Sequence, residues 1–121
     1  MSSILQDKLK TCNHQLKIKV WLTSQDQTLI SPGLVELLCL INAQGSLQSA
    51  AKQLSWSYRM AWGRLRKAEE HLGFSLVEKH SGNKGGLVLS QAGLELIEKY
   101  QALMKNVQLF AEEQMKNLFL S

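Results

Sequence analysis

A mainly α-helical fold with two small β-hairpins is predicted by three observations. Apolar residues recur at helical spacing in four stretches, each opened by a serine, and glycine closes two of them. Two further short stretches read as strands around a polar turn or a glycine-rich one. The length of 121 residues, with 45% hydrophobic and 20% charged residues, suits one domain with one modest core.

Residues 1–14 show no clear period and read as a flexible arm, with a short amphipathic helix as the alternative. LKIKVWL then alternates, with Leu16, Ile18, Val20 and Leu22 on one face and Lys17, Lys19 and Trp21 on the other, which predicts a half-buried strand. SQDQ supplies a polar turn and TLI a returning strand, giving an N-terminal β-hairpin. Ser31-Pro32 is a helix start, a capping hydroxyl followed by proline at the first helical position. Leu34, Leu37, Leu38 and Ile41 mark the buried face of that helix, and Gly45 stops it. Ser46 caps a short second helix, LQSAAKQL, with Leu47, Ala50, Ala51 and Leu54 inward.

Ser57 caps the third helix. Ala61, Leu65, Ala68 and Leu72, spaced 4, 3 and 4, form its core stripe, and Gly73 ends it. The opposite face collects Tyr58, Arg59, Trp62 and Arg66. FSLVEKH, SGNKGG and LVLS read as strand, loose basic turn and strand. Ser90 caps the last and longest helix, where Leu96, Leu103 and Phe110 recur every seven residues, as do Ile97, Met104, Ala111 and Leu118, with Tyr100 and Val107 between them. A domain of this size cannot cover the whole stripe, so residues 90–119 are expected to form a dimerisation helix, the alternative being a helix folded back over its own domain.

Charge is unevenly distributed. The formal net charge is +4, yet no acidic residue lies between Glu36 and Glu69, a stretch that carries Lys52, Arg59, Arg64, Arg66 and Lys67. Residues 91–121 hold four glutamates against three lysines. An acid-free basic middle beside a balanced tail points to a polyanionic partner.

Two short helices joined by a tight turn, the second basic on its exposed face and followed by a hairpin, make a winged helix-turn-helix. A helix fits the major groove of DNA, with its N-terminal residues at base edges. Arginine supplies bidentate contacts to guanine or phosphate that lysine cannot match. The expected DNA contacts are Arg59 and Tyr58 in the first turn, Arg66 two turns in, and Ser57 through its hydroxyl or backbone to a phosphate. Gln48 of the second helix and Lys84 at the wing tip complete the set. Trp62 either joins them or fills the gap between helix and wing, whereas Trp56, in the turn, goes to the core. Arg64 lies nearer the flank.

The segment GSLQSAAKQLSWSYRMAWGRLRKAEEHLGFSLVEK, followed by GNKGGLVLSQAGLELI, resembles the winged helix-turn-helix shared by LysR-type regulators and the molybdate-responsive ModE family. SYR.AW favours ModE, whose recognition helix typically begins Ser-Tyr-Lys/Arg with Ala-Trp following, and LKIKVWL, SPG..ELL and SGNKGG are similar to that family's opening strand, first helix and wing. The resemblance covers about residues 15–118. It implies a bacterial or archaeal transcription regulator that dimerises through the last helix and binds a palindromic operator in double-stranded DNA, in connection with molybdate transport or molybdenum-related genes. Ser57, Tyr58 and Arg59 then correspond to recognition-helix positions at the DNA. Relatives of full length continue into Mop-type oxyanion-binding modules, and the sequence ends at Ser121 without one. Either another polypeptide senses molybdate, or this form binds DNA without that ligand.

Several classes are disfavoured. No nucleophile has a nearby base in the sequence pattern, and GNKGG lacks the strand-to-helix setting and Lys-Ser/Thr ending of a phosphate loop, so neither an enzyme nor a cofactor is expected. His14, His71 and His80 are scattered, and Cys12 and Cys39 have no CxxC spacing, which leaves no metal motif and makes Cys39 a small core side chain. No apolar run approaches membrane-spanning length and no signal-peptide core is present, so a cytoplasmic location is expected. The rival function is a protein-interaction or scaffolding module that uses the same exposed helix face.

Overall fold

Helix boundaries follow the serine and glycine punctuation. In the computed structural model, which describes residues 3–80, 82 and 86–120, α2 spans Pro32–Gln44, α3 Leu47–Gln53 and α4 Tyr58–Leu72. Ser31, Ser46 and Ser57 each accept a hydrogen bond from the backbone N–H three residues on, at 3.0–3.1 Å, satisfying a donor that the first helical turn would otherwise leave unpaired. Gly45 and Gly73 end α2 and α4 in the left-handed region, at φ 77° and 86°, where a side chain would be strained.

These helices close one core. Leu37, Leu38, Ile41, Leu65 and Leu76 are fully buried, and the inward alanines Ala50, Ala51 and Ala61 let α3 and α4 approach closely. Each fully buried leucine or isoleucine contributes about 1.5–3 kcal/mol. Cys39 is half-buried against this core.

Two antiparallel hairpins flank the helices. β3 (Val77–Lys79) pairs with β4 (Leu87–Leu89) in the register Val77↔Leu89, Glu78↔Val88, Lys79↔Leu87. A side chain fixes its base and a loop carbonyl holds the loop end of β4. The Glu69 carboxylate accepts the Leu76 N–H at 2.7 Å, and the Gly45 carbonyl accepts the Leu87 N–H at 2.9 Å. The N-terminal hairpin is shorter than expected. β1 is only Leu22–Ser24, opposite β2 (Gln27–Ile30), with Gln25 and Asp26 both at positive φ in the turn. Residues 16–21 form no strand, yet burial still alternates along them, with Leu16, Ile18 and Val20 half-buried. Side chains from the last helix take up carbonyls there: Tyr100 Oη donates to Val20, and Gln108 Nε2 to Leu16. A carbonyl so engaged needs no ladder partner.

Ser90 caps α5 (Gln91–Met115), accepting from the Gly93 N–H and donating to the Ser75 carbonyl. Gly93 packs against the polypeptide itself, since a Cβ there would collide with the Leu76 carbonyl oxygen. The described chain falls into two compact units, residues 20–100 and a terminal unit of residues up to 19 with those from 101 onward. In the terminal unit α1 (Ile4–Thr11), opened by a Ser3–Gln6 capping box, lies against a π-helical turn at Lys116–Leu120.

Candidate nucleic-acid interface

The turn between α3 and α4 is held by backbone bonds. Ser55 adopts a left-handed φ of 60°, and the Trp56 N–H donates to the Ala51 carbonyl at 2.9 Å. The half-buried Trp56 ring lies against the start of α2, 3.6 Å from where a Cβ on Gly33 would be, so Trp56 joins the core as expected.

α4 presents three distinct faces. Ala61, Leu65 and Ala68 are buried, and Leu72 is half-buried beside them. Arg59, Gly63, Arg66 and Glu70 repeat the same 4, 3, 4 spacing two residues earlier, which places them about 200° round the helix, and all four are exposed. Arg59, Arg64, Arg66 and Lys67 form no ion pair with a carboxylate among the described residues, so their charge is open to a partner.

On the flank beside the wing, Tyr58, Trp62 and Arg66 stack at successive turns. The Tyr58 and Trp62 rings meet edge to face at 6.2 Å, and the Arg66 guanidinium lies 5.0 Å over the Trp62 ring. Trp62 is half-buried against the core and lines a cleft of about 280 Å³ with Leu47, Gln48, Tyr58 and Leu87. It therefore borders the gap between helix and wing, with the Arg66 guanidinium over its ring. Gln48 and Tyr58 thus share the lining of that cleft.

The other flank carries Arg64, Lys67 and His71. Arg64 stacks on Trp56, 4.6 Å from the ring centroid, and the His71 Nδ1 lies 3.2 Å from the Thr28 carbonyl of the N-terminal hairpin. The three line a cleft of about 570 Å³ with Asp26 and Ser31. Ser57 has committed its oxygen to the Met60 N–H, which leaves its hydroxyl hydrogen to donate outward. Lys84 lies outside the described residues.

The apolar set of the last helix divides between two surroundings. Ile97 is buried, and Leu96 and Tyr100 are half-buried, all against the core of residues 20–100. In the terminal unit Leu103, Phe110 and Leu118 are 47%, 64% and 71% exposed, while Met104, Val107 and Ala111 are half-buried.

Gly63 is the residue of the outward stripe that the sequence reading did not single out, whereas Lys67 entered it only as part of the basic run. A signal for Gly63 exists, because shifting the core stripe by two positions generates the outward stripe directly. Among the described residues no group of three or more His, Cys, Asp or Glu is placed to hold a metal ion, and no helix is long and apolar enough to cross a membrane.

A basic helix held outward by a buried stripe, a capped tight turn and a hairpin anchored beside it define the class of winged helix-turn-helix proteins. Residues 33–94, just over half of the chain, match the bacterial regulatory helix-turn-helix proteins of the LysR family. The chain belongs to that family and carries a DNA-binding helix-turn-helix of the LysR and ModE type. It is similar to the DNA-binding transcriptional dual regulator ModE of Escherichia coli K12, 33% identical over 91 residues that make up 74% of this chain and 35% of that protein. It is also similar to the molybdenum-pterin-binding protein MopB of Rhodobacter capsulatus, 36% identical over 60% of this chain and 28% of that protein. The chain thus spans about a third of the length of the curated relatives it matches.

Solved structures agree on the fold. The DNA-binding domain of CbnR in complex with DNA superposes with a TM-score of 0.57 at 19% identity, covering 70% of this chain and 94% of that one. Full-length LysG of Corynebacterium glutamicum superposes with a TM-score of 0.51 at 29% identity, covering 71% of this chain and 28% of that one.

Proposed function

We propose that the protein is a sequence-specific transcriptional regulator that binds a palindromic operator as a homodimer. The observation that carries this reading is the outward stripe of α4, where Arg59 and Arg66 stand unpaired on a face free of acids until Glu70. Inserted in a major groove, α4 would bring Arg59 and Tyr58 to base edges. Arg66, braced on Trp62, would reach the flanking backbone, as would Ser57 and Gln48. Lys84, between the wing strands in sequence, would add a salt-sensitive phosphate contact. The exposed Leu103, Phe110 and Leu118 support association through the last helix, with Met104, Val107 and Ala111 beside them and Leu96, Ile97 and Tyr100 continuing the stripe toward the core. The names of the similar proteins extend the reading to molybdenum-related genes.

The test is selection of duplexes from a random-sequence library, followed by affinity measurements on the enriched sequence. Arg59→Ala is expected to cost about 1–3 kcal/mol on that sequence and to relax discrimination at one position. Equal weakening on every duplex would make Arg59 a phosphate contact. Failure of the wild-type chain to enrich any sequence, with no steep salt dependence of binding, would favour a protein-binding role for the same face.

A further inference from the structure

The interior of α4 contains a glycine that the fold does not require. Gly63 stands in the sixth position of Tyr58–Leu72, and glycine inside a helix is unfavourable relative to alanine because it loses more backbone freedom on folding. Two structural causes usually account for such a residue, a positive φ or a neighbour too close for a Cβ. Gly93 in α5 has the second cause, since the Leu76 carbonyl occupies the space. Gly63 has neither. Its φ is not positive, and nothing lies within 4 Å of the position a Cβ would take.

What surrounds Gly63 is the exposed face itself. Arg59 stands four residues before it, with Arg66 and Lys67 three and four residues after, so the gap lies at the centre of a basic quadrant farthest from the core stripe. We infer that Gly63 marks the point of closest approach between α4 and DNA, where a base-pair edge or thymine methyl meets the helix backbone. The inference rests on the DNA-reading role of α4 and specifies its depth. A methyl group at this position would hold the duplex off by one carbon–carbon bond and withdraw Arg59 and Arg66 together. Gly63 is thus a positioning residue for both arginines, through the distance it permits rather than through any contact of its own.

Stability and specific binding should therefore move in opposite directions. With the full chain, Gly63→Ala is expected to raise the melting temperature by about 2–5 °C, as relief of an interior glycine does. Its affinity for the duplex most enriched by the wild type should fall about tenfold or more, as if one bidentate base contact were lost. Binding to an unrelated duplex at low salt should stay within about twofold, since phosphate attraction acts over a longer range. Gly63→Leu, also a good helix former, should weaken specific binding further. A Gly63→Ala chain with wild-type affinity for the enriched duplex overturns the close approach, and so does a lowered melting temperature. If Arg59→Ala still loses affinity in that case, the DNA-reading role survives alone. A wild-type chain that enriches no sequence overturns both.

Discussion

Residues 20–100 and the terminal unit use the same kind of apolar repeat to opposite effect. In the first, Leu65 and Ala61 of α4 and Ile97 of α5 vanish into a shared core. In the second no residue of α1 is buried, and Leu103, Phe110 and Leu118 remain open although they continue the seven-residue repeats that start at Leu96 and Ile97. Periodicity states that a helix has an apolar face; what covers the face is a separate question. Large exposed apolar patches often mark association surfaces. Under the proposed function, one unit supplies fold stability and the other assembly.

The largest effect that could break this contrast is at the exposed leucine and phenylalanine. Leu103→Asp combined with Phe110→Asp is expected to give a monomer by sedimentation. Operator affinity should then fall by about 10²–10⁴, the loss that follows when two half-sites are no longer bound through one linked unit. A double variant that remained dimeric, or a monomer that held the full operator as tightly, would refute the division of roles. Leu65→Ala sharpens the other side. Its cost should be about 2–5 kcal/mol in urea denaturation and independent of protein concentration, because the cavity forms inside one chain. The smallest effect is expected at the exposed pair Glu95–Lys99, 2.8 Å apart on the surface of α5. Lys99 holds the Glu95 carboxyl below its usual range, through a hydrogen bond and charge attraction, and Glu95 holds Lys99 above its own. Stability from a lowered carboxyl is present above the unfolded-state value and is lost as pH falls through the folded one. Because both groups are solvent-screened, Glu95→Gln should give a pH–stability curve superimposable on the wild type.

Local signals were legible in the sequence and distant ones were not. Ser31-Pro32, Ser46, Ser57 and Ser90 act on N–H groups within three residues, so a few consecutive residues suffice to place the helices they open. The stretch LKIKVWL carries an equally clean alternation, yet it is not the strand it resembles. Its carbonyl partners Tyr100 and Gln108 lie 80 and 92 residues away, and no short window of sequence contains both ends of such a bond. The π-helical turn at Lys116–Leu120 had no sequence signal at all. At the interface the arginines were read directly from their charge and spacing. Trp62 needed the structure, because an indole between the core stripe and the outward stripe can turn to either, and it is half-buried beside a cleft it shares with Leu87 of the wing.

The wing is tied at its base and again beside its loop. Leu76, just before β3, donates to Glu69 of α4, and Leu87, at the loop end of β4, donates to Gly45 at the end of α2. The residues on either side of the loop are thereby held, Lys79 and Leu87 by strand pairing and Leu87 also by Gly45. Closing a longer loop on fixed ends is inexpensive, about 0.6 kcal/mol for each doubling of its length. The segment between Lys79 and Gly86 is therefore the place where descendants of this sequence can gain or lose residues, and so change how they touch a partner, while α2, α3 and α4 keep their geometry.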